Sequence, residues 1–206
     1  MAELAQQLHP PRNRFDRRRE QTRLDLLEAA MRVIARKGFH ATRIADIASE
    51  ADVGLGTFYL HFKTKIEIFR ELIERGANEL LELTRQAKAG VQSAAGKLEI
   101  TVNTVLDAAA ENREAFRIVF GHGPAFLDLM VRVHEMFIED LRADLAPMAG
   151  ARADAIANLT VGMLSQAVSW LLDRSSLSLA ELKEITVKFA LGGLARTVTP
   201  TPDKES

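Results

Sequence analysis

Apolar residues recur at helical spacing along most of this chain. In the first such stretch they lie on one face of a helix: Leu26, Leu27, Ala30, Val33 and Ile34. Gly38 follows, and a glycine can end a helix by taking a left-handed conformation. The pattern therefore predicts a first helix over about residues 19–37.

The next two apolar stretches are short. The first has the i, i+3, i+4, i+7 spacing of one buried stripe: Ile44, Ile47, Ala48 and Ala51. Thr42 precedes this stretch and is predicted to be its N-cap. Residues 51–54 leave room only for a tight turn, after which Gly54 to Phe62 supplies a third helix. Two short helices joined by such a turn predict a helix-turn-helix arrangement.

Capping signals continue along the chain. Thr64 and Glu67 form a capping box, which predicts a connecting helix from about Lys65 to Lys88 and a loop from Ala89 to Lys97. Later helices are predicted at about 98–111, 113–121, 124–146, 152–174 and 179–198.

Three further signals mark the starts of these later helices. Asn112 is expected to cap one helix, Pro124 suits the first turn of the next, and Ser178 with Glu181 forms a capping box for the last. No strand-like alternation of useful length occurs. The fold class is therefore all-α: an N-terminal three-helix helix-turn-helix domain followed by a helical bundle.

Composition excludes several classes of protein. The 206 residues include no cysteine, which rules out a disulfide scaffold, a thiol nucleophile and a Cys-ligated zinc site, and suits a reducing cytoplasm. No apolar segment of a secretory signal follows the N-terminal arginines. The most apolar stretch, from Ile156 to Leu172, is interrupted by polar residues and indicates a buried helix rather than a membrane span. We expect a cytoplasmic protein.

Charge is distributed unevenly. Residues 1–65 hold 12 Lys and Arg against 8 Asp and Glu, whereas residues 66–206 hold 15 against 20. A basic first part favours contact with a polyanion. A solvated charged surface is the alternative.

The third helix divides its large side chains between two faces. Phe58 and Phe62 are four residues apart and are predicted to pack inward. Small or hydrogen-bonding residues take the opposite face, where Gly56 permits close approach and Tyr59 lies at the boundary, with its hydroxyl suited to a phosphate oxygen. Such a helix can lie in the major groove of DNA.

The run GFHATRIADIASEADVGLGTFYLHFKTKIEIF, residues Gly38 to Phe69, resembles the DNA-binding signature of the TetR family of bacterial transcriptional regulators. The resemblance extends over about 50 residues, from Arg19. It implies DNA contacts, to backbone or bases, from Arg43, Thr57, Tyr59, His61 and Lys65. It places Leu55, Gly56 and Leu60 near base edges. It also implies that the second domain dimerises and holds a small effector.

Three positions depart from the family pattern. Asp52 replaces the usual turn glycine, which is tolerable because Asp enters left-handed conformations more easily than most residues. Gly54 and Leu55 replace a serine and a polar or basic residue, which weakens the helix cap and removes a hydrogen-bonding group. Leu55 is expected either to touch a thymine methyl or to pack beside Phe62. The arginines of Arg12 to Arg23 either contact DNA or form a solvated tail.

The predicted organisation is a flexible basic arm (1–18), the helix-turn-helix domain (19–64), the effector-binding and dimerisation domain (65–199) and a tail (200–206). The dimer interface is expected on Ile156 to Leu172 and Leu179 to Val198, where small residues allow close helix approach. The alternative is that these stretches form the core of one subunit. A two-fold dimer places its recognition helices about 34–36 Å apart, so an inverted-repeat operator is expected. Candidate effector contacts combine aromatic walls with polar groups: Phe116, Phe120, His122, Phe126, Met130, His134, Phe137, Met163, Gln166 and Trp170.

The sequence gives no support for catalysis, a cofactor or a metal. His122, His134 and Glu135 are too sparse for a metal site, and no nucleophile–base or paired-carboxylate spacing is recognisable. We therefore expect a homodimeric DNA-binding regulator, a repressor released from its operator by a small molecule. The alternatives are a helical carrier or enzyme with a silent DNA-binding head, and an activator on the same fold.

Overall fold

A computed structural model describes residues 14–121, 127–173 and 176–198 of the chain. Within these ranges all regular structure is helical. The helices are α1 (Arg14–Ala41), α2 (Ile44–Glu50), α3 (Leu55–His61), α4 (Lys65–Lys88), α5 (Ala94–Glu111), α6 (Arg113–Gly121), α7 (Leu127–Ala149), a 3-10 turn (Gly150–Arg152), α8 (Ala153–Asp173) and α9 (Leu179–Val198). The chain divides into two compact units, residues 1–72 and 73–206. The all-α prediction is confirmed.

Helix α1 begins at Arg14, five residues before its predicted start, so residues 14–18 are helical. The helix is interrupted at Gly38, which has a positive φ as predicted. Its angles (φ 75°, ψ 159°) place it in an extended mirror-image region, however, and not in the left-handed helical one. The chain then makes one more turn through Ala41. Gly38 therefore redirects the helix axis into the approach to α2.

The predicted N-cap at Thr42 is wrong. Thr42 is buried, and its hydroxyl donates to the Gly38 carbonyl at 2.8 Å, so it closes the last turn of α1. The N-cap of α2 is one residue later, at Arg43, whose backbone N–H donates to the Asp46 carboxylate at 3.0 Å. A carboxylate in the first turn also suits the positive end of the helix dipole.

The core of the first unit is formed by buried apolar side chains from all of its helices. These residues are Leu26, Leu27, Ala29, Ala30, Val33, Ile34, Phe39, Ile47, Ala48, Phe58, Phe62, Ile68 and Phe69. Ion pairs at the surface add to this packing between α1 and α2: Arg32 and Arg36 both pair with Glu50, and Lys37 pairs with Asp46 at 2.9 Å. The two helices are thus held by apolar burial inside and by charge pairing outside.

In the second unit, α5 starts inside the predicted 89–97 loop. Ser93 caps it by accepting a hydrogen bond from the Gly96 N–H at 3.1 Å. Asn112 does not cap α6 with its side chain, contrary to prediction, because its amide donates backward to the Ala108 carbonyl at the end of α5. The Ser178–Glu181 capping box is confirmed, with both reciprocal hydrogen bonds present.

The second unit has an apolar core and one buried charge network. The core is drawn from α4, α5, α7, α8 and α9. Lys88, which is 5% exposed, donates to Asp140 and, at 2.6 Å, to Asp144. Burial would raise the pKa of Asp144, but hydrogen bonds from Lys88 and Lys97 outweigh it and hold that pKa below its ordinary value. The network fixes the last turn of α4 against α7.

One helical stretch in the described residues, Leu127–Asp173, is long and apolar enough to span a membrane by length and composition. The 3-10 turn interrupts this stretch, and α8 contributes Ala157, Val161, Leu164 and Val168 to the core of the second unit. These side chains are the core of a folded domain, as the polar interruptions in the sequence predicted.

We expect Gly38→Ala to destabilise the protein by about 1–3 kcal/mol, because the backbone region that Gly38 occupies is almost closed to residues with a Cβ. Asp52→Gly is the matched comparison. Asp52 also has a positive φ, of 53°, so a glycine there should relieve strain and raise stability by up to about 1 kcal/mol. Urea unfolding of both full-length variants measures the two effects. Equal midpoints for Gly38→Ala and the wild type would contradict the assignment.

Candidate nucleic-acid interface

The inner face of α3 is formed by two phenylalanines, as predicted. Phe58 and Phe62 are both fully buried, and their ring centroids lie 5.8 Å apart. Ile47 of α2 is fully buried in the same unit. A seven-residue helix is too short to be stable by itself in water, so burial of these rings is what stabilises it.

The outer face of α3 is open to solvent. Tyr59 is 52% exposed and Leu60 is 74% exposed, while Thr57 and His61 are half-buried. A Cβ placed on Gly56 would meet no atom within 4 Å, so a partner can approach the backbone closely there. Leu55 is 48% exposed. The face thus presents small, hydroxyl-bearing and imidazole side chains around an accessible backbone.

The turn before α3 has the conformation that the sequence suggested. Asp52 has a φ of 53°, and no other non-glycine residue in the described ranges has a positive φ. Gly54 occupies the N-cap without a side-chain hydrogen bond, so the start of α3 lacks the usual cap. The exposed N–H groups at this end are available to an external acceptor.

Arg23 of α1 anchors the other end of α3. One guanidinium nitrogen donates to the His61 carbonyl at 2.8 Å, and the group lies 4.2 Å from the centroid of the Phe62 ring. The same guanidinium pairs with Glu71 of α4. Arg23 therefore joins α1, α3 and α4. Sequence reasoning assigned it to the basic arm, since nothing local links it to residues 38 and 48 positions away.

Lys65, one of the predicted DNA contacts, makes its hydrogen bonds inside the first unit. Its ammonium donates to the carbonyls of Phe39 at 2.7 Å, His40 at 3.3 Å and Thr42 at 2.9 Å, and it lies 4.4 Å from the Phe39 ring centroid. Burial lowers the pKa of Lys65. These three hydrogen bonds can use all three N–H donors of the ammonium group. Lys65 therefore joins the start of α4 to the end of α1.

The two remaining predicted contacts differ in their surroundings. The side chain of Arg43 is exposed at the N-terminus of α2, although its backbone N–H is held by Asp46. Partial burial lowers the pKa of His61, and the positive charges of Arg19 and Arg23 lower it further. A neutral imidazole at pH 7 can still donate one hydrogen bond to a phosphate or a base.

The predicted effector residues lie in the second unit and differ in exposure. Phe137 is buried and Gln166 is exposed, and the others that the structure describes are half-buried: Phe116, Phe120, Met130, His134, Met163 and Trp170. His122 and Phe126 lie outside the described residues. The rings of Phe116 and Phe120 stack with centroids 6.3 Å apart. His134 Nε2 and Ser165 Oγ are 2.7 Å apart, a partner that the sequence did not suggest.

Two cavities are described, and neither is lined by these residues. One, of about 320 Å³, adjoins the buried charge network and the loop after α4, and it is lined by Arg85, Lys88, Ala89, Gly90, Val91, Gln92, Lys97, Asp140 and Asp144. The other, of about 440 Å³, is lined by Arg142, Ala143, Ala146, Gly150, Ala151, Ala153 and Asp154. The proposed effector contacts therefore do not coincide with either cavity.

The described residues contain no cluster of three or more His, Asp or Glu side chains that could hold a metal ion.

Comparison with known proteins agrees with this geometry. The sequence profile of the bacterial regulatory proteins of the tetR family matches residues 26–72. The transcriptional activator FasR of Mycolicibacterium smegmatis is 26% identical over 185 residues, which cover 86% of this chain and 84% of FasR.

Two solved structures share the fold over most of their length. FadR of Bacillus subtilis, in complex with stearoyl-CoA, has a TM-score of 0.69 at 19% identity and covers 82% of this chain and 98% of its own. A putative TetR-family regulator of Syntrophomonas wolfei has a TM-score of 0.73 at 16% identity, with coverages of 88% and 99%.

The first unit is thus a helix-turn-helix domain of the kind that reads duplex DNA, with α3 in the position of the recognition helix. The match of residues 26–72 to the tetR family of bacterial regulatory proteins confirms the resemblance seen in the sequence. These relatives are regulators and not enzymes, as expected for this chain.

We expect Lys65→Met to destabilise the protein by about 1–3 kcal/mol, because it leaves three carbonyls without their shared charged donor. Lys63→Met is the matched control, since Lys63 is exposed two residues earlier and should leave stability unchanged. Thermal and urea unfolding of the full-length variants measure the difference. If Lys65→Met unfolds like Lys63→Met, the three hydrogen bonds contribute nothing to the fold.

Proposed function

We propose that the protein is a homodimeric repressor that binds an inverted-repeat operator through α3 and is released by an apolar small molecule. The DNA-binding part of this proposal rests on one observation: Phe58 and Phe62 fill the core while Thr57, Tyr59 and Leu60 face outward from the same short helix. Because its inner face stays packed in the core of the first unit, such a helix can place its outer face in the major groove while the unit remains folded.

The individual contacts are assigned from their positions on that face. Tyr59 and Thr57 donate hydroxyl hydrogen bonds to phosphate oxygens, and His61 donates one from its neutral ring. Leu55 and Leu60 lie near base edges, where an apolar side chain can meet a thymine methyl. Arg43 reaches a phosphate from the start of α2. Lys65 acts indirectly, by holding α4 against the end of α1.

Dimerisation is assigned to α8 and α9 of the second unit. Three large apolar side chains on these helices are exposed: Leu159 (76%), Ile185 (53%) and Phe189 (73%). A Cβ on Gly162, Gly192 or Gly193 would meet no atom within 4 Å, so these glycines do not serve packing within one subunit. An open apolar surface with glycines beside it suits close approach of a second copy.

A two-fold dimer presents two α3 helices to one face of DNA, which requires an inverted repeat with half-sites about one helical turn apart. Chromosomal DNA as the partner places the protein in the cytoplasm.

The effector is proposed to carry a long apolar chain. The structure of FadR from Bacillus subtilis contains bound stearoyl-CoA, and the activator FasR is a further relative of this protein. In this protein, half-buried aromatic and sulfur-containing side chains on α6, α7 and α8 provide apolar surface for an effector of this kind: Phe116, Phe120, Met130, Met163 and Trp170. The His134–Ser165 pair adds a polar group beside that surface.

Release follows if the effector binds better to a bundle geometry in which the two α3 helices no longer match the groove spacing. The second candidate function is transcriptional activation, which is favoured because the relative FasR is an activator. A reporter gene behind the isolated operator separates these two functions, because a repressor lowers and an activator raises its transcription when no effector is present.

The function is tested by selecting operator sequences from genomic fragments with the purified protein and then measuring Tyr59→Phe. Loss of the hydroxyl contact to phosphate should weaken operator binding by about 1 kcal/mol, roughly fivefold, without changing the melting temperature, because Tyr59 is half exposed. Binding that shows no sequence preference at any salt concentration would instead support a carrier with a silent DNA-binding head.

The dimer is tested by Gly192→Leu. Because the position is open within one subunit, the variant should fold, and the larger side chain should separate two copies that approach closely at that point. Gly76→Leu on α4 is the matched control: it also meets no atom, and it should remain dimeric. Analytical ultracentrifugation gives the mass of each variant. A Gly192→Leu protein that dimerises as tightly as the control would exclude this surface.

A further inference from the structure

The first turns of α1 extend beyond the packed part of the first unit. Every residue from Arg14 to Arg19 is exposed, whereas full burial on this helix begins at Leu26. Six helical residues span about 9 Å at 1.5 Å per residue. The described chain therefore continues as a basic helical projection, residues 14–19, where a flexible arm was expected.

The arginines of this projection lack the acidic partners that other cations of α1 have. Further along α1, Arg23 pairs with Glu71, Arg32 and Arg36 pair with Glu50, and Lys37 pairs with Asp46. No such ion pair joins the side chains of the projection, Arg14, Arg17, Arg18 and Arg19, to any described residue. Positive charge is thus paired where α1 meets the unit, whereas the projecting arginines form no ion pair with the described residues.

This placement opposes the preference of the helix itself. The N-terminus of a helix carries a partial positive charge, so cations in its first turns are unfavourable, and only Asp16 offsets them in the first turn. An external anion would relieve both the arginine charges and the helix dipole. The arrangement indicates a polyanionic partner.

One face of the projection continues toward α3. Arg19 lies seven residues before Leu26, about two turns, and so shares the inward face of α1. Arg23, one turn later on the same face, binds the His61 carbonyl at the end of α3 at 2.8 Å. The charge of Arg19 also contributes to the lowered pKa of His61, which indicates proximity. Arg17, nine residues before Leu26, lies on the opposite face.

We propose that Arg19 binds a phosphate of the operator just outside the base pairs read by α3, and that Arg17 faces away from the DNA. The projection is then a rigid extension of the recognition surface beyond the C-terminal end of α3. This inference rests on the proposed function.

The test compares two single variants on one helix, Arg19→Gln and Arg17→Gln. Both remove the same charge from the same exposed turns, so differences in net charge and helix dipole are matched. The logarithm of operator affinity is measured against the logarithm of salt concentration, where each phosphate contact contributes about 0.9 to the slope. Hydroxyl-radical footprinting of the wild type and both variants locates the protected sugars.

We expect Arg19→Gln to lower the slope by about 2 for a dimer and to lose protection on the flanks of the operator, while protection at the centre of each half-site persists. Arg17→Gln should keep the footprint and nearly the whole slope. Equal slope changes in the two variants, or an unchanged footprint in both, would overturn the inference. Failure of the wild type to select any operator would instead count against the proposed function.

Discussion

Burial of two phenylalanines on one side of α3 is the constraint on which the DNA-binding unit depends. The helix has seven residues, an N-cap without a side chain and a turn that places an aspartate at positive φ, so its local sequence does little to stabilise it. Phe58 and Phe62 supply that stability from inside the core. Because the two phenylalanines occupy the inner face of α3, the side chains on its outer face are not determined by packing in the core.

Three groups of cations in the first unit differ in their surroundings. Arg23 and Lys65 point inward and donate to backbone carbonyls at helix ends, so each of them joins its own helix to a neighbouring one. Arg32, Arg36 and Lys37 are paired on the surface between α1 and α2. The third group, the arginines in the first turns of α1, has no ion-pair partner among the described residues. Net charge by residue count hides this separation.

In the second unit, a charged network is buried in the interior. Lys88 is buried against two aspartates, and such a network is costly to break because removing one member leaves an unpaired charge in the interior. It therefore specifies how the end of α4 sits on α7 more than it adds stability. The apolar residues left outside this packing, on α8 and α9, are those that a second copy of the chain would cover.

The sequence by itself determined the helical class, most helix bounds, the inward phenylalanines and the positive φ at Gly38 and Asp52, because all of these depend on periodicity and local backbone chemistry. It misplaced the caps at Thr42 and Asn112, whose side chains turn back to the preceding helix. The fastening roles of Arg23 and Lys65 could be decided only by the tertiary structure. Their partners are carbonyls and a carboxylate 23 to 48 residues away, and no local pattern encodes a contact made across a fold.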